Sequence, residues 1–319
     1  MTLTLPAMSG RGLVLLLAPL ALLLASCSGS SEPGEPSASP STSIETGSTS
    51  VASFGPTTGD CDTTAATFRD VTSVNADLAD PELAATCEGD SVVVNSNSIP
   101  DYTYVATTPG SPRVSDVTYT IPTNPTEVDA PNPDDVPRLG AIGVAVDGVP
   151  IYGPTEGQGG DVLSLEGALS VCGSHAGPVD FHMHLFGYAD DVDCLYSADE
   201  ATSGDPIVVG WAADGYPIMS GVVCADADCT STTQLTSSWT LSDDSLFATD
   251  TWAAHSYEEG FGDLDQCNGR TDTDGQYRYY TTTTFPYVIG CYHGEVADDA
   301  ISGGAAGGAG GGAPGGPGA

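Results

Sequence analysis

The chain contains no lysine, and six arginines stand against 43 acidic residues in 319, for a formal charge of −37. That balance excludes nucleic acid as a partner, because a phosphate backbone is bound by placing Lys and Arg against it. An anionic lipid surface is repelled for the same reason. The acidic surface suits a salty medium, where self-repulsion is screened, and it attracts cations or a basic surface. Long hydrophobic runs are also missing. The longest, Leu13 to Ala25, falls short of the ~20 residues that a membrane-spanning helix needs. There is no Gly-x-Ser-x-Gly, no P-loop, no His-Glu-x-x-His and no dinucleotide fingerprint, which removes the commonest motif-borne activities. Helical periodicity is weak, with only Asp80–Ala85 and Leu163–Leu169 suggesting turns of helix.

The N-terminus carries a processing signal. Arg11 precedes the apolar run, whose length suits a signal-peptide core. The run ends in Leu24-Ala25-Ser26-Cys27, which resembles a bacterial lipobox. The expectation is a signal peptide over 1–26 and a diacylglycerol on the Cys27 thiol. Such a chain is anchored to the membrane without spanning it. Its location is then extracytoplasmic, at the cell membrane or outer surface. The lipid anchor is its one membrane contact, and no motif identifies its extracellular or cell-surface ligand. Residues 27–55, rich in Ser, Thr, Pro and Gly, read as a tether, and 301–319, nearly all Gly, Ala and Pro, as a disordered tail. The folded domain is expected over 56–300.

Nine cysteines is an odd number, and lipidation of Cys27 leaves eight: Cys61, Cys87, Cys172, Cys194, Cys224, Cys229, Cys267 and Cys291. In an oxidising compartment an even set reads as disulfides, with 105 possible pairings. Short β-branched and aromatic runs at 91–95, 102–105, 117–121, 141–146, 207–211 and 277–281 predict strands. Asp147-Gly148 and Asp214-Gly215 sit between apolar runs and predict two-residue type I′ hairpins, with Pro150 and Pro217 at an edge or a strand start. The fold class is therefore all-β or β-rich and disulfide-stabilised.

The chain also repeats itself. Gly143-Val-Ala-Val-Asp-Gly-Val-Pro-Ile151 has a second copy, Gly210-Trp-Ala-Ala-Asp-Gly-Tyr-Pro-Ile218. Each copy precedes a cysteine segment: Cys172-Gly-Ser-His175, Phe181-His-Met-His184 and Cys194 after the first; Cys267-Asn-Gly-Arg270, Tyr277-Arg-Tyr-Tyr280 and Cys291 after the second. This order points to an internal duplication, with two pseudo-symmetric lobes as one form of it. It favours bridges 172–194 and 267–291 as equivalents, with 61–87 and 224–229 local. Each longer loop would contribute about 3 kcal/mol by limiting the unfolded chain.

The copies differ in chemistry: three histidines in the first stand where Arg270, Arg278 and Tyr280 stand in the second. On a strand, His182 and His184 point to one side, close enough to share one metal ion, and His175 can fold back as a third ligand. Three imidazoles suit zinc or copper. His293 is a further candidate if the lobes pack symmetrically. Arg278 is expected to pair with buried acids such as Asp214 or Asp265. Asp263, Asp265, Asp272 and Asp274 raise calcium, but their spacing does not match a calcium-binding helix-loop-helix, so calcium ranks below zinc and copper.

Together these segments resemble the YHYH-domain family of exported proteins, from Ser96-Asn-Ser-Ile-Pro100 to Gly294. The name motif maps onto Phe181-His182-Met183-His184, with both histidines kept and both tyrosines replaced. Leu264–Arg270, Tyr277–Tyr280 and Thr284-Phe-Pro-Tyr287 resemble the family's C-terminal block. The resemblance implies an exported domain and no particular activity. Three readings follow from the sequence: a module that binds a transition metal, a hydrolase or oxidase using that metal, or an adhesion module whose histidines are structural.

Overall fold

The computed structural model describes residue 56 and residues 58–107 and 110–304. The expected signal segment, Cys27, the 27–55 tether and the tail beyond Gly304 lie outside the described residues. In chain order the strands are β1 (Leu83–Glu88), β2 (Ser91–Ser96), β3 (Val117–Pro122), β4 (Ala141–Ala145), β5 (Pro150–Tyr152), β6 (Ser174–Ala176), β7 (Phe181–Met183) and β8 (Val208–Ala212). They continue as β9 (Pro217–Met219), β10 (Val222–Cys224), β11 (Thr232–Gln234), β12 (Trp239–Leu241), β13 (His255–Tyr257), β14 (Gly269–Thr271), β15 (Tyr277–Tyr280) and β16 (Ile301–Gly303). No described α-helix exceeds five residues. The fold is β-rich.

Strand chemistry dictates the layers. Val92 and Val94 of β2, and Val117, Tyr119 and Ile121 of β3, alternate with residues that are only partly covered. That period of two gives each strand one apolar face. These faces belong to an antiparallel sheet of order β1-β2-β3-β16. They form one buried cluster with Ala141 and Val144 of β4 and Trp211 of β8, so this sheet packs on the middle of a larger one. The larger sheet has eight strands in the order β14-β15-β9-β8-β4-β5-β7-β6. Apart from the edge strand β14, its strands are largely buried on both sides. Ile142, Ala145, Ile151, Phe181 and Met183, with Val209, Ile218, Tyr277 and Tyr279, form the main core.

Read outward from the central antiparallel β4–β8 pair, the two halves of the larger sheet have the same pairings. β5 and β9 are antiparallel to β4 and β8; β7 and β15 run parallel to β5 and β9; β6 and β14 close the edges antiparallel. The halves do not form separate lobes. One sheet runs through both, within a single compact unit. Four disulfides join Cys61 to Cys87, Cys172 to Cys194, Cys224 to Cys229 and Cys267 to Cys291.

Several local expectations need correction. Leu83–Ala85 belongs to β1 rather than to a helical turn, because its backbone pairs with β2. Residues 102–105 form no strand; Tyr102 is instead buried in the main core. The tail expected from residue 301 begins as β16, paired with β3. The Asp-Gly hairpins also differ from type I′. The Gly148 N–H donates to Ala145 O at 2.9 Å and that of Ala145 to Val149 O at 2.9 Å. Gly215 and Ala212 repeat the pattern on Ala212 and Tyr216, both at 3.0 Å. Only the glycines have positive φ, +88° and +93°. Each loop is thus a three-residue connection closed by a left-handed glycine. Pro150 and Pro217 open β5 and β9, the one interior position where a missing N–H is tolerated.

The two turn aspartates make opposite demands. The Asp214 carboxylate accepts from the Tyr279 hydroxyl at 2.5 Å and from the N–H groups of Gly294 and Tyr216 at 2.9 and 3.3 Å. The Asp147 carboxylate accepts from the Val149 N–H at 3.2 Å, and its Oδ2 has no partner among the described residues. Burial, with Asp101 beside it, pushes the Asp147 carboxyl up to about 7. The unfolded value is about 3.9, so the folded chain holds the extra proton and stability falls as pH rises from about 4 through about 7. Asp147→Asn is therefore expected to raise the unfolding free energy by up to about 4 kcal/mol at pH 8, with the gain vanishing near pH 4. Asp214→Asn should lower it by about 1–3 kcal/mol, because whichever way the amide turns its NH2 faces a donor, the Tyr216 N–H on one side or the Tyr279 hydroxyl and Gly294 N–H on the other. Denaturant unfolding of both variants with disulfides intact checks the pair, and shifts of the same sign would refute this account.

Candidate metal centre

The antiparallel register of β6 on β7 sets His175 directly opposite His182. Alternation along β7 sends Phe181 and Met183 into the main core, so His182 faces the other side, and His184 follows two residues on. The Cys172–Cys194 bridge pins the chain just before β6 to the segment after β7. All three imidazoles are buried, and one ring nitrogen of each falls within 4.8 Å of those of the other two. That is close to the roughly 4 Å that two ligand atoms on one ion, at about 2.0–2.1 Å each, can span.

The hydrogen bonds decide which nitrogens are free. His184 Nδ1 lies 2.6 Å from Gly153 O and His175 Nδ1 lies 3.2 Å from Ala168 O. A carbonyl only accepts, so both Nδ1 atoms carry the proton. His182 Nδ1 lies 2.9 Å from Asp180 Oδ1 and donates to that carboxylate. The Nε2 atoms of His182 and His184 are then left with bare lone pairs, and that of His175 faces His182. His184 Nε2 is buried without a partner among the described residues. His175 Nε2 and His182 Nε2 lie 2.9 Å apart, and two acceptors at that distance repel unless a cation or a proton stands between them. The residues present fit a three-histidine metal site, with the outer nitrogens anchored as such ligands usually are.

Electrostatics keep the His182 and His184 rings in the form a metal takes. Burial, and then the neighbouring imidazoles, hold His182 and His184 well below the usual histidine range. The Asp180–His182 contact is thus a neutral N–H donating to a carboxylate and not an ion pair. Burial raises Asp180 to about 6, so it remains a carboxylate at neutral pH. Tyr152 stacks on His182 with ring centres 3.9 Å apart and 10° between planes, and its hydroxyl donates to the same carboxylate at 3.1 Å. His182 is therefore fixed by a face and an edge. Burial and Asp180 push the Tyr152 hydroxyl up, keeping it protonated. The cluster opens on a cleft of about 640 Å³.

The other half of the sheet carries the counterpart. β14 on β15 repeats the register, with Arg270 opposite Arg278. Arg270 Nε and Arg278 Nη1 each donate to Asp272 at 2.9 Å, and the Tyr280 hydroxyl donates to it at 2.6 Å. Asp274 takes Arg278 Nη2 at 2.8 Å. This triad is closed on a carboxylate of its own hairpin. In the first hairpin the residue two beyond His175, as Asp272 is two beyond Arg270, is Gly177. A Cβ at Gly177 would come within 2.6 Å of His182 Cε1.

Several expectations are corrected here. Arg278 pairs with Asp272 and Asp274; Asp214 and Asp265 receive the hydroxyls of Tyr279 and Tyr277 instead. Asp263 accepts from Thr236. The four acids considered for calcium are thus tied to internal donors, Asp272 and Asp274 sharing Arg278, and no three of them gather as a group among the described residues. His293 stands apart from the histidine triad. It stacks on Tyr277 at 3.6 Å, with Nε2 3.5 Å from Glu127 Oε1, because the sheet sets the two hairpins at opposite ends. Sequence reasoning missed Asp180, Tyr152 and Gly177. Asp180 was findable, since it stands two residues before His182 and so shares its side of the strand.

A family model described as YHYH protein matches residues 118–294, a span that includes all three histidines and both cysteine segments. No curated protein and no solved structure matches the chain. Nitrogen-detected NMR of the metal-free protein at neutral pH should find His184 as the Nδ1–H tautomer. An Nε2–H tautomer there would remove the free lone pair that the Gly153 contact implies.

Proposed function

The chain belongs to the YHYH protein family, and on that premise we propose that His175, His182 and His184 hold one transition-metal ion, zinc or copper, through their Nε2 atoms. The observation that carries this reading is the convergence of three buried imidazoles, one ring nitrogen of each within 4.8 Å of the others, whose Nδ1 atoms contact Ala168, Asp180 and Gly153. Neutral imidazoles suit zinc and copper, whereas calcium takes oxygen ligands. The four disulfides point to an extracytoplasmic protein. We extend that location to a lipid anchor on Cys27, supported by the lipobox-like Leu24–Cys27. We also read the matched pairings of the two half-sheets, with the repeated Asp-Gly-x-Pro-Ile segments, as an internal duplication in which one copy kept or acquired the metal ligands.

A second reading, a metal-dependent hydrolase or oxidase, is favoured by one feature: the triad lines the open cleft, so an ion held there would be within reach of incoming molecules. When bound, such an ion acidifies a coordinated water or, if copper, exchanges electrons. The protein's own part is positional. Asp180 keeps the proton on His182 Nδ1, Tyr152 fixes the plane of that ring, and the Gly153 carbonyl orients His184.

After exposure to zinc and copper, elemental analysis of the purified protein should find about one ion per chain. A His182→Ala/His184→Ala variant with its disulfides and near-native unfolding temperature should retain less than about a tenth of that. No metal in the parent protein would refute the site. Metal retained in the variant would move it elsewhere.

A further inference from the structure

The cleft over the histidines has an unusual rim. Leu165, Val179 and Leu139 all line it, and they are 65%, 52% and 45% exposed. Leu165 is the most exposed of the large apolar side chains among the described residues. Single exposed leucines are ordinary, but three around one concavity are a local apolar surface on an otherwise strongly acidic chain. Besides the histidine cluster the lining includes the uncharged polar side chains of Thr155, Gln158 and Ser164. No arginine lines the cleft, and besides the histidines and the protonated Tyr152 hydroxyl its ionisable groups are the carboxylates of Glu156 and Asp180. Those two negative charges offset a divalent ion held by neutral imidazoles, so an anion gains little by entering. The volume, about 640 Å³, is that of a small-molecule site.

We infer that this cleft binds an uncharged small molecule with an apolar or aromatic body, seated against Leu139, Leu165 and Val179 with one end at the histidine cluster. The inference deepens the metal reading and rests on it for the identity of the cleft's floor. Burying such a body is favourable at ~25 cal/mol per Å² of apolar surface, and the rim offers that surface without rearrangement of the core.

N-phenyl-1-naphthylamine and its 8-sulfonate share one fluorescent body and differ by a negative charge. With the metal-loaded full chain, the uncharged probe should saturate a single site, and the sulfonate should bind at least about tenfold more weakly. Leu165→Asp/Val179→Asp should weaken the uncharged probe about tenfold or more while metal content is unchanged. Equal binding of both probes, no binding of the neutral one, or full binding by the rim variant would overturn the inference. So would binding confined to a chain ending at Gly304, since the following segment would then be the occupant. Metal content read on the same samples separates the two failures. Metal without probe sinks this inference alone, and probe at the rim without metal sinks the metal site alone.

Discussion

The central pairing of β4 with β8 is the constraint on which everything else hangs. Gly143 and Gly210 stand in that pairing, and a Cβ at either would overlap the carbonyl oxygen of Trp211 or Val144. Their bare backbones let the two strands meet closely enough for eight strands to share one sheet. On one side of this seam the four-stranded sheet packs against Val144 and Trp211; on the other lies the main core. Both polar triads are displaced outward from the seam by the same sequence of pairings, to the two ends of the sheet.

The two triads show how one backbone arrangement supports opposite electrostatic solutions. Three donors, Arg270, Arg278 and Tyr280, enclose the Asp272 carboxylate, and a buried cation and anion satisfy each other. In the histidine triad, His184 Nε2 has no partner among the described residues, and His175 Nε2 and His182 Nε2 meet only each other. A set of buried acceptors is stable only with a cation or a proton among them. The first triad therefore leaves a place for a cation or a proton, and the second does not.

The surroundings of the histidines are consistent with that difference. Tyr152, Asp180 and two backbone carbonyls hold the rings at their outer nitrogens. Phe181 and Met183, where the family's name motif has tyrosines, are buried in the main core, so replacing the hydroxyls by apolar groups suits their environment.

Much of this protein was legible in its residues. Period-two alternation in β2 and β3, turn residues at Asp147-Gly148 and Asp214-Gly215, and the repeated order of histidine and cysteine segments depend on neighbours a few positions apart, and local spacing carries them. His182 and His184 were legible for that reason. The tertiary structure decided what depends on distant partners: the register that sets His175 against His182, the separation of His293 from them, Asp272 as the acid that Arg278 takes, and Tyr152 as the plane beneath His182. It also recast the two expected lobes as one continuous sheet. Side-chain direction follows from the residue's own strand, whereas what that side chain meets is set by packing across the whole sheet.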